Sequence, residues 1–171
     1  STAQSVPAAG ASVGAVYHHF KNKEGIIAHL VFAALEDLFK WRQRYLLDAK
    51  SFQECIYALV LSYADWVDTH PQFAQILLSG KFNVYMGEHA EELMYRKVTY
   101  RKKLLEWMQL PEYKYNLDHI PLDLLSSLVN GTTEHYCKYW LLNRVKRSPK
   151  QYRRELAHAT WLIIKQYEAF D

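Results

Sequence analysis

Apolar residues recur at three- and four-residue steps along most of the chain, and this spacing predicts amphipathic α-helices. Few Gly or Pro residues interrupt the pattern, which favours long elements and disfavours an all-β fold. Ser51 and Ser148 are suitable N-caps, Pro71 should separate two helices, and Gly80 should stop a short one, leaving 81–87 as a connection. The predicted helices are 23–49, 51–70, 72–78, 88–109, 121–144 and 148–169, with a loop at 110–120.

Composition narrows the class of protein. Half of the 171 residues are hydrophobic and 23% are charged, which is typical of folded globular chains rather than disordered ones. The apolar stretches are too short to span a bilayer, and Cys55 and Cys137 indicate neither a disulfide framework nor a zinc site. We therefore expect a soluble cytoplasmic protein without metal or cofactor. The net charge of +3 permits nucleic-acid binding but does not by itself argue for it.

The segment 8–24 has the residue pattern of a helix-turn-helix. Two alanines would end a first helix, Gly10 gives the backbone freedom for a tight turn, and Ser12 caps a short second helix. Val16 and Phe20 lie four residues apart and would anchor that helix to the core. The remaining side chains would face a DNA major groove, the small ones approaching bases and the polar ones donating to phosphates. The candidate DNA-binding residues are Val13, Gly14, Ala15, Tyr17, His18, His19 and Lys23.

The motif A-G-x-S-x-G-x-x-Y-x-H-F-x-x-K-E along this segment closely resembles the DNA-binding segment of the TetR family of bacterial transcriptional regulators. The resemblance implies that residues 13–15 and 17 approach bases and that Tyr17, His18, His19 and Lys23 contact the phosphate backbone. Family members have a complete helix upstream, so we expect the DNA-binding domain here to be N-terminally incomplete. Pro7 also disfavours a helix over 1–7.

These observations predict an all-α chain in two parts: a partial helix-turn-helix at 1–24 and a multi-helix effector-binding and dimerisation domain at 25–171. The resemblance implies a DNA-binding regulator, expected to be a repressor released from a double-stranded operator by a small, largely apolar or aromatic effector. The alternative is a helical ligand-binding or scaffold protein that does not regulate DNA. An enzyme using Glu134 and His135 is disfavoured, because adjacent helical residues do not face one substrate together.

Aromatic residues, at 15% of the chain, exceed what a small helical core requires and predict a pocket. Individually each is more often a core residue, but together with two polar residues on one helix they form a candidate site. Arg101 interrupts an apolar series, which is typical of a residue that pairs with an acid or binds an anionic ligand group. The candidate ligand-binding residues are Tyr63, Trp66, Met94, Val98, Asn130 and Glu134.

The last two predicted helices carry apolar stripes that indicate a homodimer interface, since a palindromic operator calls for two copies of the motif. Gly131 would permit close helix approach, and a glycine is otherwise costly within a helix. The predicted stripes are Leu125, Leu128, Thr132, Tyr136 and Tyr139 on one helix, and Leu156, Thr160, Ile163, Tyr167 and Phe170 on the other.

Overall fold

The structure is a computed structural model that describes residue 15, residues 22–108 and residues 118–167. Its elements over 22–108 and 118–167 are six α-helices and one short 3-10 helix, which confirms the predicted all-α class. The helices are α1 (Lys23–Leu46), α2 (Phe52–Thr69), α3 (Pro71–Tyr85), α4 (Ala90–Met108), α5 (Leu122–Leu141) and α6 (Arg153–Lys165), with the 3-10 helix at Pro149–Tyr152. Among these helices, none is long and apolar enough to cross a membrane.

Side-chain caps set several helix boundaries. The Asn22 carboxamide accepts a hydrogen bond from the Gly25 N–H at 2.8 Å, and Ser51 Oγ accepts one from the Glu54 N–H at 3.1 Å. The predicted cap at Ser51 is therefore confirmed. Ser148 instead precedes the 3-10 helix, and its N–H donates to Gln151 Oε1 at 3.1 Å. The predicted single helix from 148 is thus wrong at its start, where the chain takes a tighter turn before α6 begins.

The third helix differs most from expectation. It continues through Gly80 to Tyr85, so the predicted stop at Gly80 and the connection over 81–87 are wrong. Gly80 is buried, and a Cβ built there would lie 2.8 Å from Val31 Cγ2 on α1. The glycine is present because α1 and α3 approach closely, not because the helix ends.

Helix α5 ends three residues before the predicted boundary at 144. Asn143 has a φ of 57°, the left-handed conformation that asparagine adopts more readily than most residues. The Arg144 N–H donates to the Tyr139 carbonyl at 2.9 Å and the Asn143 N–H donates to the Trp140 carbonyl at 2.9 Å. This pair of bonds is a Schellman motif, which terminates the helix.

Helix α2 is the centre of the fold, because it packs against α1, α3, α5 and α6. Its Trp66 is fully buried, and Trp66 Nε1 donates to Asp37 Oδ2 on α1 at 2.8 Å. Asp65 beside it is also buried, and its Oδ2 accepts from Tyr45 Oη and from Arg153 Nη1, each at 2.6 Å. These polar contacts tie α1, α2 and α6 together within an otherwise apolar core.

Candidate ligand cavity and DNA-binding segment

A cavity of about 240 Å³ lies among helices α1 to α5. For comparison, an engineered apolar protein cavity of about 150 Å³ accommodates benzene. The cavity therefore has room for an aromatic ring or short alkyl chain with a polar group attached. Most of its walls are apolar side chains, among them Leu35, Leu38, Leu59, Leu77, Val98, Leu105 and Val129.

Five of the six predicted ligand-binding residues line this cavity, namely Tyr63, Met94, Val98, Asn130 and Glu134. They come from α2, α4 and α5, so three helices separated in sequence meet at this cavity. Trp66 does not line the cavity. It lies three residues after Tyr63 on a helix that is buried on nearly all sides, and its hydrogen bond to Asp37 fixes it in the core against α1.

The polar centre of the cavity includes a residue that sequence reasoning missed. Arg42 on α1 donates through Nη2 to Asn130 Oδ1, and its guanidinium carbon lies 5.3 Å from the centroid of the Tyr63 ring. Burial lowers the pKa of Arg42 and raises the pKa of Tyr63 well above its usual value. Arg42 Nε and Tyr63 Oη are both buried without a hydrogen-bond partner among the described protein atoms. Two donors at the cavity are therefore unsatisfied.

Glu134 is held in an ion-pair network rather than in a catalytic dyad. Its Oε1 lies 3.2 Å from Lys81 Nζ and 3.5 Å from Lys138 Nζ. Burial by itself would raise the pKa of Glu134, but the two lysines outweigh burial and the net shift is downward. His135 is exposed, and its ring is tilted against that of Tyr139, with centroids 4.9 Å apart. The two adjacent residues thus have separate surroundings.

Three further cations, Lys81, Lys97 and Arg101, line the cavity with Arg42. Lys97 and Arg101, both on α4, line the cavity, and the Lys97 ammonium lies 5.4 Å from the centroid of the Tyr85 ring. Burial lowers the pKa of Lys97, and repulsion from Arg101 and Arg42 lowers it further although Glu134 opposes the change. Within 22–108 and 118–167, no group of His, Cys, Asp and Glu residues is arranged to hold a metal ion.

The structure describes two of the seven predicted DNA-binding residues. Ala15 is helical and exposed, and Lys23 is the exposed first residue of α1. The other five, Val13, Gly14, Tyr17, His18 and His19, lie outside the described residues.

Comparison with known families decides the identity of this N-terminal segment. Residues 6–30 match the family model of the bacterial regulatory proteins of the tetR family. The N-terminal segment of the chain thus matches the DNA-binding segment of TetR-family regulators. The match includes the whole predicted helix-turn-helix motif and extends into the first two turns of α1, so the matched segment is covalently continuous with a helix that lines the cavity. No curated protein matches the chain.

Two helices connect the TetR-family segment with the cavity. On α1, Leu35 lines the cavity twelve residues after Lys23, a separation of about 18 Å along a helix. In the turn just before α4, the Glu88 N–H donates to Glu24 Oε1 in the first turn of α1 at 3.3 Å. Arg96 on α4 also lies over the Phe32 ring of α1, 4.6 Å from its centroid. Helix α4 and the turn before it therefore contact the first three turns of α1.

Proposed function

We propose that this TetR-family regulator is a repressor that leaves its operator when a small ligand occupies the cavity. The observation that carries the proposal is the continuity of α1, which begins beside the DNA-binding motif and contributes Leu35, Leu38, Phe39 and Arg42 to the cavity wall. A ligand there contacts the same helix that supports the motif.

The mechanism requires that the ligand distinguish two conformations, because equal affinity for both would shift no population. Helix α4 is the mobile element in this proposal, since it covers one side of the cavity through Met94, Lys97 and Val98. Ligand contacts that move α4 would alter the Glu88–Glu24 hydrogen bond and so reorient the first turn of α1. Two recognition helices reoriented in this way no longer match successive major grooves.

A homodimer through α5 and α6 is the second part of the proposal. Leu125, Leu156 and Thr160 are buried within the chain, so the predicted stripes are corrected at these positions. The face proposed for pairing carries exposed apolar side chains, Leu124 (44% exposed) and Tyr139 (46% exposed) on α5 and Leu162 (55% exposed) on α6. Gly131 on α5 is also exposed, and a Cβ there would have nothing within 4 Å. Pairing of this face would bury it by twofold symmetry.

In the bound state we assign Tyr17, His18, His19 and Lys23 to the phosphate backbone, and Val13, Gly14 and Ala15 to the approach to base edges. Lys23 supports this assignment because it is exposed, and none of the described carboxylates lies within ion-pair distance of it. An exposed ammonium at the start of α1 is suited to a phosphate oxygen.

The test is DNA binding by the purified protein, with a site selected from random duplexes and measured by gel shift over a range of salt concentrations. Lys23→Ala should weaken binding to all sequences alike and reduce the steepness of the salt dependence, since one phosphate contact is lost. Lys50→Ala, another exposed lysine, is the matched control and should leave both quantities unchanged. Loss of preference at one base position alone would contradict the phosphate assignment. Ligand binding without any selected DNA site would instead favour a helical ligand-binding protein.

A further inference from the structure

The cavity has an excess of positive charge that its own acid does not neutralise. Its described lining includes four basic residues, Arg42, Lys81, Lys97 and Arg101, and one acid, Glu134. Glu134 is already shared by Lys81 and by Lys138 from the same helix as the acid. Among the described residues, no carboxylate lies within ion-pair distance of Arg42, Lys97 or Arg101.

The hydrogen-bonding groups at the cavity have the same bias toward donors. Arg42 Nε and Tyr63 Oη are buried and have no acceptor within the described part of the chain. Asn130 does not supply one, because its carboxamide oxygen accepts from Arg42 Nη2 and its nitrogen donates to Ser126 Oγ at 3.3 Å. Buried donors without acceptors are rare in folded proteins, and a ligand that supplies acceptor oxygens would satisfy them.

The remaining wall limits the rest of the ligand. Leu35, Leu59, Leu77, Val98 and Leu105 line the cavity and offer no hydrogen-bonding side chain. A polar body placed against them would lose its water without gaining partners, whereas an apolar body would not. The volume of about 240 Å³ suits a single ring or a short chain rather than an extended molecule.

We infer that the ligand of this cavity is a small amphipathic carboxylic acid, whose carboxylate is bound between Arg42, Lys97 and Arg101 and whose body lies against the leucines. The inference rests on the proposed function in taking this cavity as the effector site, and it adds the sign of the ligand's charge. Guanidinium groups suit a carboxylate because their parallel N–H groups match its two oxygens. Binding of the anion would also relieve the repulsion among the three cations.

Isothermal titration of the purified protein tests the charge directly with matched probes. Hexanoate, octanoate and 3-phenylpropionate are each compared with the corresponding neutral amide and primary amine. At least one acid should bind about tenfold or more tightly than its amide, since the interaction with the cations is lost in the amide. The amine should not bind detectably, because it adds a fourth positive charge to those of Arg42, Lys97 and Arg101.

Two variants locate the carboxylate. Arg101→Met and Lys97→Met keep a long apolar stem and remove the charge. Each should weaken binding of the acid by roughly tenfold or more and leave the affinity for the amide unchanged. Lys102→Met is the matched control, since Lys102 is an exposed neighbour on α4 outside the cavity. Far-UV circular dichroism of each variant verifies that the helices are intact.

Equal affinity for acid and amide, tighter binding of an amine, or no binding of any acid at millimolar concentration would each overturn the inference. Gel shift on the selected DNA separates this failure from failure of the proposed function. An amine or amide that releases DNA leaves the repressor mechanism intact and refutes the carboxylate. An acid that binds with the predicted variant pattern but never releases DNA supports the carboxylate and refutes the effector role.

Discussion

Two helix-interior glycines provide a matched test of how the fold packs. Gly80 lies within α3 and Gly131 within α5. An alanine at either position would favour the helix by about 0.5–1 kcal/mol relative to the glycine. At Gly80 the added methyl group would lie 2.8 Å from Val31 Cγ2 and 3.6 Å from Ile27 Cγ2. At Gly131 it would meet nothing within 4 Å. The helical contribution is the same at both sites, so the difference between the two alanine variants isolates the contact.

The magnitude follows from these distances. Overpacking of a core costs about 1–3 kcal/mol, and Val31 is a buried β-branched residue whose side chain has few alternative rotamers. Gly80→Ala should therefore range from near neutral to about 2 kcal/mol less stable, after the helical gain is subtracted. Gly131→Ala should be about 0.5–1 kcal/mol more stable as a folded chain. The two variants should differ by about 1–3 kcal/mol.

Urea unfolding followed by far-UV circular dichroism measures both free energies of unfolding, at several protein concentrations because dimerisation makes stability concentration-dependent. If Gly80→Ala gained as much stability as Gly131→Ala, the close approach of α1 and α3 would be wrong. Gly131→Ala also tests the proposed dimer. If the proposed dimer packs a helix against Gly131, the variant should dissociate more readily even though its own helix is stabilised.

Three further predictions concern the core, the dimer and an ion pair. Trp66→Ala should destabilise the protein by about 3–5 kcal/mol in the same urea assay, and a near-neutral effect would contradict its assignment to the core. Leu162→Asp should give a folded monomer by sedimentation velocity, while Leu47→Asp, at a leucine 62% exposed outside α5 and α6, should remain dimeric; a dimeric Leu162→Asp would refute the interface. The pKa of Glu134 is lowered in the folded protein, so its contribution to stability is present above its unfolded pKa of about 4.3 and is lost as the pH falls through the folded value. Glu134→Gln should accordingly show a shallower loss of stability in acid, and an unchanged profile would contradict the ion-pair assignment.

The predicted helix boundaries were correct where neighbouring residues alone determine the structure. Ser51 caps α2 because its hydroxyl reaches a backbone N–H three residues away, a contact that depends on neighbouring residues alone. The predicted helix end at Gly80 was wrong because glycine serves two different purposes in helices. A glycine ends many helices, but it also permits two helices to approach, and only the position of Val31 on another helix distinguishes these uses here.

The sequence indicates the types of residue that line the cavity more readily than which individual side chains face it. Spacing within α2 cannot separate Tyr63 from Trp66, because that helix is covered by neighbours on several sides and one residue faces the cavity while the other faces Asp37. Arg42 was missed for the converse reason. A charged residue on an amphipathic helix ordinarily belongs to its solvated face, and only the docking of α5 turns this one into a buried partner of Asn130.

The two faces of α5 show why sequence indicates an interface more readily than it identifies the contacting residues. Leu125, Val129, Thr133 and Cys137 recur every four residues and pack into the chain's own core. Leu124 and Tyr139 belong to a neighbouring stripe that faces outward. Helical positions one residue apart differ by about 100° around the axis, so a stripe assigned one position out combines core residues with surface residues. The predicted stripe contained both Leu125 and Tyr139, which lie on opposite sides of this boundary. The outward leucine and tyrosine are consequently the positions at which charge should separate association from folding.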